Sequence, residues 1–495
     1  MRISIFARLL LFALLCFHVA SVTAKDEVRS SAVKVHVTQR PPDFMRPWTK
    51  STARKTSGSG AIIEGNRILT NWHVVEYASQ IFVQFDQTSD KTPARVVGAA
   101  SGMDLALLEL EDPAELDGRP FLPIADSLPD VSSTVNVYGF PIGGEDMSVT
   151  EGIISRIDFT RYSNDAVGVR IQVDAALNPG NSGGPAVTDG QIVGLVFSKI
   201  NQAENIGYLI PAEEIRMFLA DFADGTYDGK PALYDRFQTA ENVSLRAKLG
   251  LSKETTGYVV REPFRDEESY PLKKWDVITH IGEHELDNLG NVRIRDDLRL
   301  DFRYLVPELA HNDELKLTVF RDGESLALTV PVVNNRIRLL PSLKGDYPRH
   351  FIYGPLVFTA ATQEFVGVLG TRGFGYLAAI KSPLLYRQQD DPAFEGEELV
   401  VMANRMFSHR MIKGYRNTPF GVVSHVNGEA INNLRHFVEL LRDCEDEFVV
   451  FEFADEGETL VFRRQELVDA TEGILIDECI RDQYSKDLAD AWEGS

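Results

Sequence analysis

Between residues 43 and 222 the apolar positions fall in short runs broken by turn residues. Ala61-Ile62-Ile63, then Glu64-Gly65-Asn66, then Ile68-Leu69 reads as a hairpin with Gly at its turn. Leu105 to Leu110, Val135 to Tyr138, Ile171 to Val173 and Val193 to Phe197 read as further strands. Many short strands with regular turn signals predict a β-sandwich or barrel over 43–222. A helix closes this stretch near Ala212 to Phe222, where Ile215, Phe218, Leu219 and Phe222 share one face at helical spacing. The polar run Ala223 to Pro231 then carries the Gly, Asp and Pro of a boundary, so a linker is expected over 223–240.

Beyond the linker the pattern repeats. Val277-Ile278-Thr279-His280-Ile281-Gly282-Glu283 aligns without gaps on Val422-Val423-Ser424-His425-Val426-Asn427-Gly428. The match continues from Leu286-Asp287-Asn288-Leu289 to Ile431-Asn432-Asn433-Leu434. Each copy then passes through a helical segment into a strand pair, whose turns Asp322-Gly323 and Glu456-Gly457 suit hairpins. Two copies of one α+β module are therefore predicted, over 241–340 and 341–470. A closing amphipathic helix is expected within 471–495, from about Asp477 to Trp492. Gly370 to Gly375 reads as a turn, because no helix pattern follows it.

The N-terminus changes the picture. Arg2 and Arg8 precede an apolar stretch, Leu9 to Ala20, which ends in Val22-Thr23-Ala24. This is the pattern of a secretory signal peptide over 1–24, too short to span a bilayer comfortably. A periplasmic or secreted protein is expected, with 25–42 as an N-terminal segment. Cys444 and Cys479 remain after cleavage; export permits a disulfide without placing the two within reach. The formal charge of -22, from 73 acidic against 51 basic residues, repels phosphate backbones and argues against a nucleic-acid partner. No Cys/His cluster has metal-ligand spacing, and neither metal nor cofactor is expected.

The candidate chemistry lies in three motifs. In Asn178-Pro179-Gly180-Asn181-Ser182-Gly183-Gly184-Pro185 a serine sits among glycines, as an exposed acyl-transfer nucleophile on a tight turn requires. Gly180, Asn181 and Ser182 are candidates for the backbone donors of an oxyanion hole. In Thr70-Asn71-Trp72-His73-Val74-Val75 the histidine follows a strand and precedes two apolar anchors, the setting of a held general base. Asp104 heads the apolar strand of Ser101-Gly102-Met103-Asp104-Leu105-Ala106-Leu107-Leu108. A carboxylate there needs a hydrogen-bonding partner, and orienting an imidazole supplies one.

His73, Asp104 and Ser182 stand in the chymotrypsin order His…Asp…Ser. Their surroundings, TNWHVV, DLALLEL and NPGNSGGP, resemble the HtrA/Deg family of ATP-independent serine proteases. Gly139-Phe140-Pro141, Gly152-Ile153-Ile154-Ser155 and Ile206-Gly207-Tyr208-Leu209-Ile210-Pro211 resemble the same family's intervening strands. The resemblance implies a multidomain protein: an all-β, chymotrypsin-like double β-barrel protease domain followed by two α+β PDZ-like domains. It implies an endopeptidase acting on unfolded or damaged exported polypeptides, and a homo-oligomer that is a trimer or an assembly of trimers. The final region is most similar to plant Deg proteases with a degenerate second PDZ domain, although those relatives are not usually exported.

Finer assignments follow from the same resemblance. Lys248-Leu249-Gly250-Leu251 fits the x-Φ-G-Φ loop by which PDZ domains hold a peptide C-terminus. The second copy offers Ile352-Tyr353-Gly354-Pro355-Leu356, where Pro355 removes a donor. Ala176, Leu177 and Ser198 would line the P1 pocket, with no carboxylate to attract Lys or Arg and a preference for small or medium aliphatic residues. Arg161 would belong to a loop that senses PDZ occupancy. Two other readings stay open: a chaperone or PDZ adaptor with little turnover, and acyl transfer on non-peptide esters.

Overall fold

The computed structural model describes residues 26–163, 166–197, 207–416 and 419–494, so the leader assigned to 1–24 lies outside the described residues. The chain forms two compact units, one of residues up to 38 with 55–336, the other of 39–54 with 337–495.

The first unit begins with two closed six-stranded barrels. Strands β1 (Ala32–Gln39), β2 (Arg54–Ile63), β3 (Arg67–Thr70), β4 (Ala78–Phe85), β5 (Thr92–Ala100) and β6 (Leu105–Leu110) close the first, in the order β1-β2-β3-β6-β5-β4. Strands β7 (Thr134–Gly139), β8 (Ser148–Ser163), β9 (Ala166–Val173), β10 (Pro185–Thr188), β11 (Gln191–Phe197) and β12 (Gly207–Pro211) close the second, in the order β10-β11-β12-β9-β8-β7. Closure leaves no exposed sheet edge. The expected hairpin is present, with Ala61 opposite Leu69 and Ile63 opposite Arg67. The expected N-terminal segment is corrected by the structure: β1 lies inside 25–42 and is a wall of the first barrel. Val33, Val35 and Val37 alternate along it and are buried with Ile62, Ile68, Val83 and Leu108. That period-two pattern is the signal for a strand. The helix Ala212–Asp221 follows β12 and buries Ile215 and Phe218.

The first α+β module continues the same unit. Its strands are β13 (Arg236–Thr239), β14 (Tyr258–Glu262), β15 (Val277–Ile281), β16 (His284–Glu285), β17 (Asn291–Arg295), β18 (Leu298–Asp301), β19 (Glu314–Arg321) and β20 (Glu324–Pro331). The sheet runs β13-β14-β15-β19-β20, with β16 on β15 and β17–β18 as a separate hairpin. Leu298 and Leu300 of that hairpin join the apolar core of the second barrel.

The second module has β21 (Phe351–Tyr353), β22 (Leu356–Ala360), β23 (Val400–Met402), β24 (Val422–Val426), β25 (Glu429–Ala430), β26 (Phe448–Phe453) and β27 (Leu460–Arg463). Its sheet runs β21-β22-β23-β24-β26-β27, with β25 on β24. Since the repeat matches β24 to β15, β22 occupies the place of β13, and β21 is an added edge strand. Helix Leu434–Asp443 buries Leu434, Phe437, Val438 and Leu441 against this sheet. Two expectations are corrected in this unit. Gly370–Ala379 is a helix, because Leu377 is buried and Phe374 and Tyr376 pack beside it, outweighing the low propensity of three glycines. The closing helix comes earlier, at Arg464–Asp477, where Leu467, Thr471 and Ile474 are buried. The chain turns out of it at Cys479 (φ 55°), and the short helical turns Lys486–Leu488 and Ala489–Glu493 follow.

Candidate active site

His73 lies in a one-turn helix, Trp72–Val75, that β3 delivers into the first barrel's rim. Asp104 occupies the turn before β6 with φ 61°, a left-handed conformation that Asp tolerates better than most residues. Both carboxylate oxygens face His73. Oδ2 is 2.7 Å from Nδ1, and Oδ1 accepts the His73 backbone N–H at 2.8 Å. The Asp104 carbonyl accepts from the Trp72 N–H and the Asn71 side-chain amide, each at 3.1 Å. With Asp104 accepting at Nδ1, the ring carries its proton there and leaves Nε2 as the basic nitrogen. Phe197 at the end of β11 sets its ring edge-on to the imidazole, 6.3 Å between centroids. Asn71 and Phe197 were not singled out by the sequence. Asn71 carried a signal in its place beside the histidine; Phe197 carried none.

Ser182 lies on the loop between β9 and β10 and is 5% exposed. Gly58 of β2 lets that loop approach the histidine helix: a Cβ there would meet Val74 Cγ1 at 2.7 Å and the Ser182 carbonyl at 3.1 Å. Around Ser182 the loop's carbonyls are committed. Pro179 O accepts from Ile142 N–H at 2.8 Å, and Asn181 O accepts from Gly184 N–H at 2.9 Å. In a trans peptide the N–H points opposite to the carbonyl. The Gly180 and Ser182 N–H groups are therefore turned away from these anchors. The Asn181 N–H is spent on Asn178 O at 3.0 Å, so Asn181 is corrected out of the candidate oxyanion hole.

Ala176 is exposed and Leu177 half-buried in the same loop. Leu177 packs against Gly207, where a Cβ would lie 2.3 Å from its Cδ1. Ser198 lies outside the described residues. Arg161 is on β8, near its end. Among the described residues no group of three or more His, Cys, Asp or Glu is placed to hold a metal ion.

Lys248 to Leu251 is corrected by the structure. Lys248 ends the helix Val243–Lys248, whose N-cap Asn242 accepts from the Leu245 N–H. Gly250 has φ 67°, and its N–H donates to Ala247 O. Leu249 N–H donates to Leu245 O, and Leu251 N–H to Arg246 O. Every donor that a peptide carboxylate needs is already used in closing the helix. Leu249 and Leu251 pack against Ala240, Val259 and Val277. In contrast, β13 pairs with β14 alone among the described residues and forms one edge of its sheet.

Two six-stranded barrels, a histidine locked on a buried carboxylate and a serine on a glycine-framed turn define a trypsin-like serine peptidase fold. The model of the trypsin-like peptidase domain matches residues 58–195, and that of a PDZ domain matches 341–487. "Protease Do-like 2, chloroplastic" of Arabidopsis thaliana is 33% identical over 94% of this chain and 76% of its own length. "Protease Do-like 4, mitochondrial" of the same plant is 31% identical over 85% and 78% respectively. Among solved structures, the HtrA-type protease AlgW with tripeptide aligns at TM-score 0.49 and 26% identity, covering 63% of this chain and 96% of that one. The chain belongs to the HtrA/Deg family of serine endopeptidases.

Proposed function

We propose that the protein is an ATP-independent endopeptidase of unfolded or damaged exported proteins, working through Ser182, His73 and Asp104. The observation that carries the reading is the doubly hydrogen-bonded His73–Asp104 pair, with Nδ1 held at 2.7 Å from the carboxylate. Ser182 Oγ attacks a peptide carbonyl while His73 Nε2 takes its proton and later returns it to the leaving amine. Asp104 stabilises the imidazolium between those events. The N–H groups of Gly180 and Ser182 receive the developing oxyanion. Leu177 against Gly207 supports a P1 pocket that is apolar and short, suited to small or medium aliphatic side chains. No cofactor or nucleotide has a step in this chemistry. A peptide C-terminus would add along the outer edge of β13 in the first PDZ module, by strand addition. Assembly as trimers is proposed on the family's habit, and export on the leader pattern at 1–24.

The test is hydrolysis of casein without ATP by the protein expressed from the full sequence, beside Ser182→Ala. Wild-type cleavage is expected, and on the order of 10⁴-fold or greater loss in the variant. Mass spectrometry of the same samples reads the mature N-terminus and the P1 residues. A chain that retains residues 1–24 would sink export, and efficient cleavage after Arg would sink the pocket assignment. Equal hydrolysis by Ser182→Ala would sink Ser182 as the nucleophile. Failure of both proteins to cleave casein, even with candidate C-terminal peptides added, would return the protein to the adaptor reading.

A further inference from the structure

Ser59, on β2 of the first barrel, is completely buried and makes four hydrogen bonds. Its N–H donates to the Ser182 carbonyl at 2.8 Å, and its own carbonyl accepts from the Thr70 hydroxyl at 2.7 Å. Its hydroxyl donates to the Gly180 carbonyl at 2.8 Å and accepts from the Phe140 N–H at 2.8 Å. The second bond fixes the first: with Phe140 N–H on a lone pair, the hydroxyl proton is directed to Gly180 O.

The consequence concerns peptide planes. The Gly180 N–H lies in the Pro179–Gly180 plane, and the Ser182 N–H in the Asn181–Ser182 plane. The Gly180–Asn181 plane between them is anchored on one side by Asn178 O and on the other by Ser59 Oγ. Gly180 has φ 101°, a conformation open to glycine, so its own backbone resists rotation weakly. Shape reinforces the contact, since a Cβ on Gly183 would lie 2.2 Å from Ser59 O.

We propose that Ser59 is a positioning residue for the oxyanion hole, its hydroxyl holding the Gly180–Asn181 plane so that the flanking N–H groups converge before substrate arrives. This rests on the reading of Ser182 as nucleophile. Preorganised donors are worth far more than donors that must turn during the reaction. Without the hydroxyl, Gly180 O and Phe140 N–H are buried and unmatched. Turning the Gly180–Asn181 plane lets Gly180 O find another donor and, through the Gly180 Cα that joins it to the Pro179–Gly180 plane, carries the Gly180 N–H out of line. The Ser182 N–H stays, because the Gly184 N–H still holds the Asn181 carbonyl of the same plane.

The experiment uses the full chain with Ser59→Ala, a peptide boronate and a product peptide of the same sequence. The boronate forms a B–O bond to the nucleophile oxygen, whose proton passes to His73, and places one boron hydroxyl in the hole. The product peptide reads ground-state binding. Loss of one oxyanion donor costs about 10²- to 10³-fold in kcat. Ser59→Ala is expected to lose kcat and boronate affinity by that common factor, with KM and product affinity within about twofold of wild type. Ser59→Cys, close in size and a weaker donor, should fall between, and serves if the alanine variant does not fold. Parallel loss of boronate and product binding, or unchanged boronate affinity, overturns the proposal. A wild type that binds no boronate while Ser182→Ala keeps its activity overturns the nucleophile reading, and this proposal with it.

Discussion

Glu214 shows how a single buried side chain ties distant segments of the first unit together. It lies on the helix after β12, 3% exposed, and its carboxylate takes Arg170 of β9 at 2.8 Å and Lys230 of the linker at 3.1 Å. The Val169 N–H also donates to it, at 3.2 Å. Burial alone pushes the carboxyl upward, but Lys230 and Arg170 outweigh it and hold the pKa below the ordinary value. The guanidinium of Arg170 also lies over the Phe197 ring, 5.4 Å from its centroid, and that ring meets His73. Replacing Glu214 by Gln removes the charge holding both cations, and should destabilise the unit by about 3–5 kcal/mol in urea unfolding at pH 7. A carboxyl lowered on folding contributes its stability above the unfolded-state pKa and loses it as pH falls through the folded one. The gap between wild type and Glu214→Gln should therefore narrow in acid, below the ordinary carboxylate range. A gap that is constant with pH would mean that the effect is packing rather than charge.

At the level of elements, the expected peptide loop closes the helix Val243–Lys248, and the stretch read as a linker over 223–240 ends in the strand β13. The short apolar-Gly-apolar motif at Leu249-Gly250-Leu251 suits a peptide loop, yet Asn242 and Gly250 together spell an N-cap and a C-terminal turn. Gly250→Ala places a Cβ in left-handed backbone, and should cost about 1 kcal/mol of stability. Binding of a C-terminal peptide by the folded variant should stay unchanged in calorimetry; a tenfold loss would restore the loop to the binding site.

The same contrast explains what sequence could reach. Triad candidates sit in contiguous motifs whose neighbours announce them, as Thr70 to Val75 do around His73. A β-sandwich or barrel and the repeated module were legible because strand alternation and the Val277/Val422 match are local, whereas the two-barrel form came only with the family resemblance. Ser59 was not, because its partner Gly180 lies 121 residues away, and Arg170 lies 44 residues from Glu214. An alternating Val33-Lys34-Val35-His36-Val37 was available and identifies β1, which the leader's proximity concealed. The helix at Gly370 could not be read from propensity, because packing of Leu377 decides it.

For the molecule as a whole, the second unit includes residues 39–54, although barrel strands of the first unit flank them in sequence. Within that unit Phe44, Met45 and Trp48 pack beside Leu339, Ile352 and Phe365. Trp48 meets Phe407 at 5.7 Å and the His350 ring edge-on at 6.4 Å. His350 thus stands between this segment and the last stretch of chain: its N–H donates to Ser485 Oγ, and its Nε2 faces the Asp482 carbonyl at 3.3 Å. The carbonyl sets the tautomer, leaving Nδ1 as the site of a second proton, and that atom is buried without a partner among the described residues. Burial lowers the His350 pKa, while the Asp482 carbonyl and the Asp482 and Asp487 charges act in the opposite sense and do not cancel it. The unfolded chain takes a proton near pH 6.5 that the folded unit refuses. Stability is therefore complete above that value and falls with pH until the lowered folded value is passed, by up to about 1.4 kcal/mol per pH unit. His350→Gln keeps a donor for the Asp482 carbonyl and removes the titration. Between pH 7 and pH 5 the wild-type unit should lose stability relative to the variant, read as a shift of the unit's urea midpoint by tryptophan fluorescence. Parallel midpoints across that range would show that His350 takes up its proton alike in the folded and unfolded states, and that the 39–54 segment is held by apolar packing without a pH-dependent part.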